Sequence, residues 1–108
     1  MPAPYTLEND VVREIEKYFG IHDQKKVTAA LESTQLWADH AGPPARIHLA
    51  MIWKSKGDIK IFERTVRYDA SDWRDLLIET GLANTGWEDR LKQKGIFPEN
   101  WAPVDNRP

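Results

Sequence analysis

Residues 46–68, RIHLAMIWKSKGDIKIFERTVRY, decide between two folds for this chain. Isoleucine, valine and aromatic residues favour strands, and the central KSKGD would suit the turn of a β-hairpin. Strict alternation is poor, however, because Phe62 would lie on the opposite face of a strand from Ile59 and Ile61. Helical spacing instead brings Ile59, Phe62 and Val66 onto one face. The pattern therefore favours two helices, with a β-hairpin at 46–68 as the alternative.

Residues at the ends of these two predicted helices support the helical reading. Pro44 ends a Gly-Pro-Pro run and is well placed as the first residue of a helix, where a missing N–H costs nothing. Gly57 interrupts the apolar pattern, and Asp58 has the side chain of an N-cap for the second helix. The stretch ARIHLAMIWK at 45–54 is apolar nearly all round, which predicts the most buried element of the fold.

Residues 45–83 contain ARIHLAMI, then KGDIKIF, then DWRDLLIETGLA. In this order the segments resemble a group of small bacterial helical proteins. Those proteins share an Arg-Ile-x-Leu-Ala start, a Gly-Asp helix break and an Asp-Trp-Arg-Asp-x-Leu segment. The resemblance implies helices throughout this region and brings no catalytic residue or known function with it.

A repeated pattern follows in SDWRDLL, residues 71–77, and TGWEDRL, residues 85–91. Each copy has a hydroxyl residue, then Trp two positions later, Asp, and Leu four positions after the Trp. Such an arrangement is typical of a helix start, and Glu88 would complete a capping box. The predicted caps are Ser71 and Thr85, and the predicted closing glycines are Gly81 and Gly95. The repeat therefore predicts a helical hairpin rather than a paired ligand site.

The N-terminal third predicts two further helices. In TLENDVVREIEKYFG, residues 6–20, apolar residues recur every four positions, with Thr6 as the cap and Gly20 as a left-handed closing residue. Asp23 is the predicted N-cap of a second helix, in which Val27 and Leu31 share a face. The whole chain is thus predicted to be a single all-α domain, residues 1–108, of five or six short helices. Residues 1–5 and 98–108 are predicted to be irregular tails.

Composition narrows the class of function. The 15 basic and 17 acidic side chains give a net charge of −2, which lacks the basic excess of a dedicated nucleic-acid or membrane-surface binder. The chain has no cysteine, so disulfides and thiolate metal sites are excluded. No stretch reaches the roughly 18 apolar residues of a membrane span, and the N-terminus lacks a signal-peptide pattern. We expect a cytoplasmic protein that does not enter a membrane.

Catalytic and metal-binding patterns are not apparent. The three histidines, His22, His40 and His48, do not occur at the spacing of a metal site. The serines lack a nucleophile-elbow context, and no glycine-rich phosphate loop occurs. We therefore expect no catalytic residue, no bound metal and no cofactor, and an enzyme built from dispersed residues is the third and less favoured hypothesis.

Two sets of residues are candidates for binding. Lys60, Arg64 and Arg67 fall at i, i+4 and i+7 of the helix predicted at 58–68 and would form a basic stripe. Trp37 and Trp101 lie in irregular stretches, and exposed Trp is common at protein interfaces. The alternative is that both Trp residues close over the core, since Trp is usually well buried.

These candidates lead to two functional hypotheses. The first is a non-catalytic helical interaction or regulatory protein that binds an unknown protein partner or forms a homodimer. The second is a binder of an anionic ligand or nucleic acid through the basic stripe of Lys60, Arg64 and Arg67.

Overall fold

The computed structural model describes residues 7–33, 44–69, 73–83 and 85–101, and it contains no strand within these ranges. Six α-helices occur there: α1 (Asn9–Tyr18), α2 (Ile21–Ser33), α3 (Pro44–Ser55), α4 (Ile59–Asp69), α5 (Trp73–Thr80) and α6 (Trp87–Gln93). A 3₁₀ helix, Pro98–Asn100, follows α6. The all-α prediction is confirmed. The β-hairpin alternative at 46–68 is wrong, because that segment forms α3, a turn and α4.

Helix α3 lies at the centre of the fold and packs against α1, α4 and α5. Its nearly continuous apolar sequence allows burial around the whole circumference. The buried residues are Ala45, Ile47, His48, Leu49, Ala50, Met51, Ile52 and Ser55. Burial of the Ser55 hydroxyl is tolerated because its Oγ donates a hydrogen bond to the Ile52 carbonyl at 2.6 Å.

The surrounding helices bury one face each. Val11 and Ile15 of α1 are buried together with Phe19, which confirms the four-residue spacing seen in the sequence. The Phe19 ring meets the Phe62 ring of α4 edge to face, with centroids 5.7 Å apart. Helix α2 packs against α1 and α4, and it buries Val27 and Leu31.

The turn between α3 and α4 is fixed by backbone geometry and by a cap. Asp58 caps α4 as predicted, since its Oδ1 accepts the N–H groups of Lys60 at 2.9 Å and Ile61 at 3.3 Å. Gly57 has φ +86°, and a Cβ at this position would lie 2.8 Å from the Tyr18 carbonyl oxygen. Glycine is therefore required here both for the left-handed conformation and for the close approach of α1.

Helices α5 and α6 both end as the sequence predicts. Gly81 and Gly95 are left-handed, with φ +78° and +79°. Each helix ends in a Schellman motif, in which the residue after the glycine donates its N–H to a carbonyl five residues earlier. These bonds join Leu82 to Leu77 at 2.8 Å and Ile96 to Leu91 at 3.0 Å. All four side chains are buried, so each motif also carries its hydrophobic contact.

Helix α2 begins earlier than predicted, so the roles assigned to Gly20 and Asp23 are wrong. Gly20 is not left-handed. Its carbonyl instead accepts the Gln24 N–H at 2.8 Å, which makes Gly20 the N-cap and puts Asp23 in the first turn of α2. The extended backbone of Phe19 leads the chain straight from α1 into α2, so no separate closing residue is used.

Helix α6 begins later than predicted, and the capping box of Thr85 and Glu88 is wrong. The N-cap is Gly86, whose carbonyl accepts the Arg90 N–H at 3.2 Å, and no side chain caps this end. The start of the helix is held by packing of Trp87 onto Trp101 instead of by a hydroxyl cap. The predicted cap Thr6 is also wrong, because α1 begins at Asn9 and its N-cap is Glu8, whose carbonyl accepts the Val12 N–H at 3.1 Å. The predicted cap Ser71 lies outside the described residues.

The C-terminal segment is more ordered than predicted up to residue 101. Pro98–Asn100 forms a 3₁₀ helix, and Trp101 is buried against the core. The Trp101 ring stacks on Trp87 with centroids 6.3 Å apart, and its Nε1 donates to Asp10 Oδ2 at 2.8 Å. This indole–carboxylate bond ties the end of the described chain to the start of α1.

The described helices are short, with 13 residues in α2 as the longest. Within the parts of the chain that the structure describes, none is long and apolar enough to cross a membrane.

Substitution of Gly57 by Ala tests the turn between α3 and α4. We expect Gly57→Ala to lower the free energy of unfolding by about 3 kcal/mol, since left-handed strain adds to the clash with Tyr18. Gly95→Ala is the matched control, because Gly95 has a similar φ but open space around the added Cβ, and it should cost only about 1 kcal/mol. Urea denaturation of both variants measures the difference. Equal losses in the two variants would show that the close approach to Tyr18 is not required.

His48 is the ionisable group most deeply embedded in this core. Burial lowers its pKa from 6.5 to about 4, so the imidazole is neutral in the folded protein at pH 7. The unfolded chain binds the proton more readily. Folding stability is therefore fully present above pH 6.5 and declines as the pH falls towards about 4.

A His48→Leu variant should lose this component of the pH dependence. For the natural chain the His48 component is about 3 kcal/mol between neutral pH and pH 4. We expect the variant to show a correspondingly shallower decline in unfolding free energy, measured by urea denaturation across this pH range. His22→Leu is the matched control for removal of a histidine, because His22 is exposed on α2. Identical pH profiles for His48→Leu and the natural chain would contradict the assignment.

Candidate binding face on α4

Helix α4 presents three cations to solvent on the side opposite its buried face. Phe62 and Thr65 are buried, whereas the three residues of the predicted stripe, Lys60, Arg64 and Arg67, are exposed. We call these three residues the basic crest. At about 100° per residue they lie within roughly 60° of one another around the helix axis, so they form one ridge. The structure thus brings together the residues that the sequence grouped.

The basic crest is free of carboxylate partners among the residues that the structure describes. No ion pair within 4.0 Å joins a crest nitrogen to any Asp or Glu whose side chain the structure describes. Glu63 is included in this statement, although it lies within one helical turn of all three cations.

Many cations elsewhere in the fold are engaged by other groups. The ion pairs are Arg13 with Asp10, Lys54 with Glu79 at 3.1 Å, and Lys92 with Glu99 at 3.8 Å. Two further cations lie over indole rings, Arg46 over Trp87 at 4.6 Å and Lys94 over Trp53 at 5.3 Å. Apart from the Arg13–Asp10 pair, which lies within α1, these contacts join different elements of the fold, and the basic crest makes none of this kind in the described chain.

The crest has two different flanks. Glu63 lies on one side, and a shallow concavity of about 300 Å³ opens between it and the crest residues Lys60, Arg64 and Arg67. Ile61 lies on the other side and is 38% exposed. Among the side chains that the structure describes, the face therefore offers a row of positive charge with the Glu63 carboxylate on one side and the apolar Ile61 on the other.

The position of α4 is well determined by its packing. Its N-terminus is capped by Asp58, its Phe62 ring contacts Phe19, and it packs along α3. The basic crest is consequently carried on a rigid helix rather than on a loop, which suits a surface that must present charges at fixed spacing.

Trp101 is not part of an exposed face. It is 8% exposed, and its indole is held by Asp10 and Trp87. The interpretation that it closes over the core therefore fits the structure, whereas a role in surface contact would require it to leave that position. Trp37, the other aromatic candidate, lies outside the described residues.

A second concavity, of about 210 Å³, lies between the start of α1 and the C-terminal segment. Its lining includes Asp10, Arg13, Phe97 and Trp101. The Asp10 carboxylate already accepts bonds from both Arg13 and the Trp101 indole. Because these groups bond to one another, we interpret the cleft as the junction between the C-terminal segment and α1.

Arg46 makes a tertiary contact that was not predicted from the sequence. Its Nε and Nη2 donate to the Leu82 carbonyl at 2.9 and 2.6 Å, and its guanidinium covers the Trp87 ring. Burial lowers the pKa of Arg46, and the nearby Glu88 carboxylate opposes that shift. The contact joins residues 36 positions apart, so no local pattern indicates it. Its effect is to fasten α3 to the turn after α5 and to the start of α6.

The described residues contain no group of three or more His, Asp and Glu side chains arranged to hold a metal ion. Within the parts of the chain that the structure describes, burial lowers the pKa of Arg46 and of His48, and neither residue lines either concavity. The exposed charges of Lys60, Arg64 and Arg67 give the surface of α4 the capacity to attract an anionic group.

No family model, curated protein or solved structure matches this chain.

Proposed function

We propose that this domain is a non-catalytic binding module that holds an acidic partner through the basic crest of α4. The observation that carries the proposal is the combination of exposure and spare charge at Lys60, Arg64 and Arg67. Like charges at i, i+3 and i, i+4 repel each other, so the grouping of these three cations contributes little to the stability of α4. The carboxylates of an acidic partner would attract all three cations and so offset the repulsion among them.

The magnitudes support a binding role over a stabilising one. An exposed ion pair contributes only about 0–1 kcal/mol to stability. A row of like charges, by contrast, raises the association rate with an oppositely charged partner and fixes its register. Such an effect weakens with added salt, because the Debye length falls from about 30 Å at 0.01 M to about 8 Å at 0.15 M.

NMR titration with two polyanions tests this function. We expect poly-L-glutamate or a short DNA duplex, added at about 50 mM salt, to shift the amide resonances of residues 58–67 selectively. The shifts should shrink strongly at about 200 mM salt, since released counterions and screening weaken the interaction. The triple variant Lys60→Gln, Arg64→Gln, Arg67→Gln should lose them at both salt concentrations.

A charge-matched control separates the crest from general electrostatics. The variant Lys17→Gln, Lys25→Gln, Lys26→Gln removes three exposed lysines from α1 and α2 and changes the net charge equally. It should retain most of the shifts on α4. If neither polyanion perturbs residues 58–67 of the natural chain, the proposed function is wrong.

A further inference from the structure

The two flanks of the basic crest differ in a way that bears on the chemistry of the partner. Viewed down α4, Ile61 lies about 100° from Lys60 in one direction and Glu63 about 60° away in the other. Ile61 is 38% exposed, and Glu63 is exposed and without an ion pair in the described chain. A partner that covers the crest must therefore accept an apolar side chain on one side and a negative charge on the other.

A nucleic-acid backbone suits this arrangement poorly. Phosphates and their counterions surround a duplex, so a face that binds it is usually bordered by further basic residues. Here Glu63 would repel a phosphate placed beside the crest, and Ile61 would meet a polar backbone. The net charge of −2 adds a weak repulsion over the whole molecule.

An acidic amphipathic helix suits the same arrangement better. At a rise of 1.5 Å per residue, the crest charges are separated along the axis by about 6 Å and then about 4.5 Å. Carboxylates at i, i+4 and i+7 of a second helix repeat this spacing. One apolar residue beside that acidic row would cover Ile61. This contact does not depend on charge, so added salt would not weaken it by screening.

We infer that the basic crest recognises a polypeptide helix that presents a row of carboxylates bordered by an apolar side chain. This inference rests on the proposed function and specifies the partner of the same face. The carboxylate row provides orientation and register along Lys60, Arg64 and Arg67. The contact with Ile61 provides discrimination against partners that are only acidic.

Binding of two designed peptides and one duplex tests the inference. The first peptide is a helix with Glu at i, i+4 and i+7 and Leu on the flank that faces Ile61. The second has Ser in place of that Leu, and the third probe is a short DNA duplex. We expect the Leu peptide to bind about tenfold more tightly than the Ser peptide at the same salt concentration. The duplex should bind more weakly than the Leu peptide.

Variants of the protein locate the apolar contact. Ile61→Ser should bring the affinities of the two peptides to within about twofold of each other. Ile78→Ser is the matched control, because Ile78 is an exposed isoleucine on α5 and its loss should preserve the tenfold difference. Shifts of the Ile61 methyl resonances on addition of the Leu peptide to the natural chain give a readout that does not depend on how well the variant folds.

The outcomes separate the inference from the function on which it rests. Equal binding of the two peptides by the natural chain, or tighter binding of the duplex, would overturn the inference and leave a basic crest that binds anions. Failure of all three probes to perturb residues 58–67 would overturn the proposed function as well.

Discussion

The burial of α3 on all sides is the constraint on which the other helices depend. A helix that is apolar around its circumference is stable in water only when neighbours enclose it. Helices α1, α4 and α5 pack directly on α3, and each needs only one apolar face to do so. Polar contacts then hold the neighbouring elements against α3. The Arg46 guanidinium donates to the Leu82 carbonyl, and the Trp53 indole donates to Glu14 at 2.8 Å.

Local signals predicted those helix boundaries that depend on a few neighbouring residues. Asp58 caps α4, and Gly81 and Gly95 close their helices in a conformation that glycine adopts without strain. The prediction for the start of α2 failed because Gly20 serves as its N-cap, and the prediction for α6 failed because a contact distant in sequence prevails there. Trp87 sets the start of α6 through Trp101, and Trp101 is placed by Asp10, which lies 91 positions away. Periodicity gives no information about pairs of this kind, so the burial of Trp101 could not be derived.

The candidate face was predictable because it depends on one helix alone. Once residues 59–69 are helical, the spacing of Lys60, Arg64 and Arg67 determines that they share a face. The sequence did not reveal which cations the fold already uses, since that depends on tertiary contacts such as Lys54 with Glu79 and Lys94 with Trp53. Cations such as Lys54 and Lys94 hold helices together, whereas the three on α4 make no such contact in the described chain. We therefore distinguish a scaffold centred on α3 from a binding face on α4.

The free energy of unfolding measures this division most directly. Lys60→Gln, Arg64→Gln and Arg67→Gln together should change it by no more than about 1 kcal/mol, as expected for surface positions that stabilise nothing. Leu49→Ala, a truncation inside α3, should lower it by about 2–5 kcal/mol. If the triple variant instead lost as much stability as Leu49→Ala, the basic crest would be part of the scaffold. Its spare charge could then no longer support a binding role.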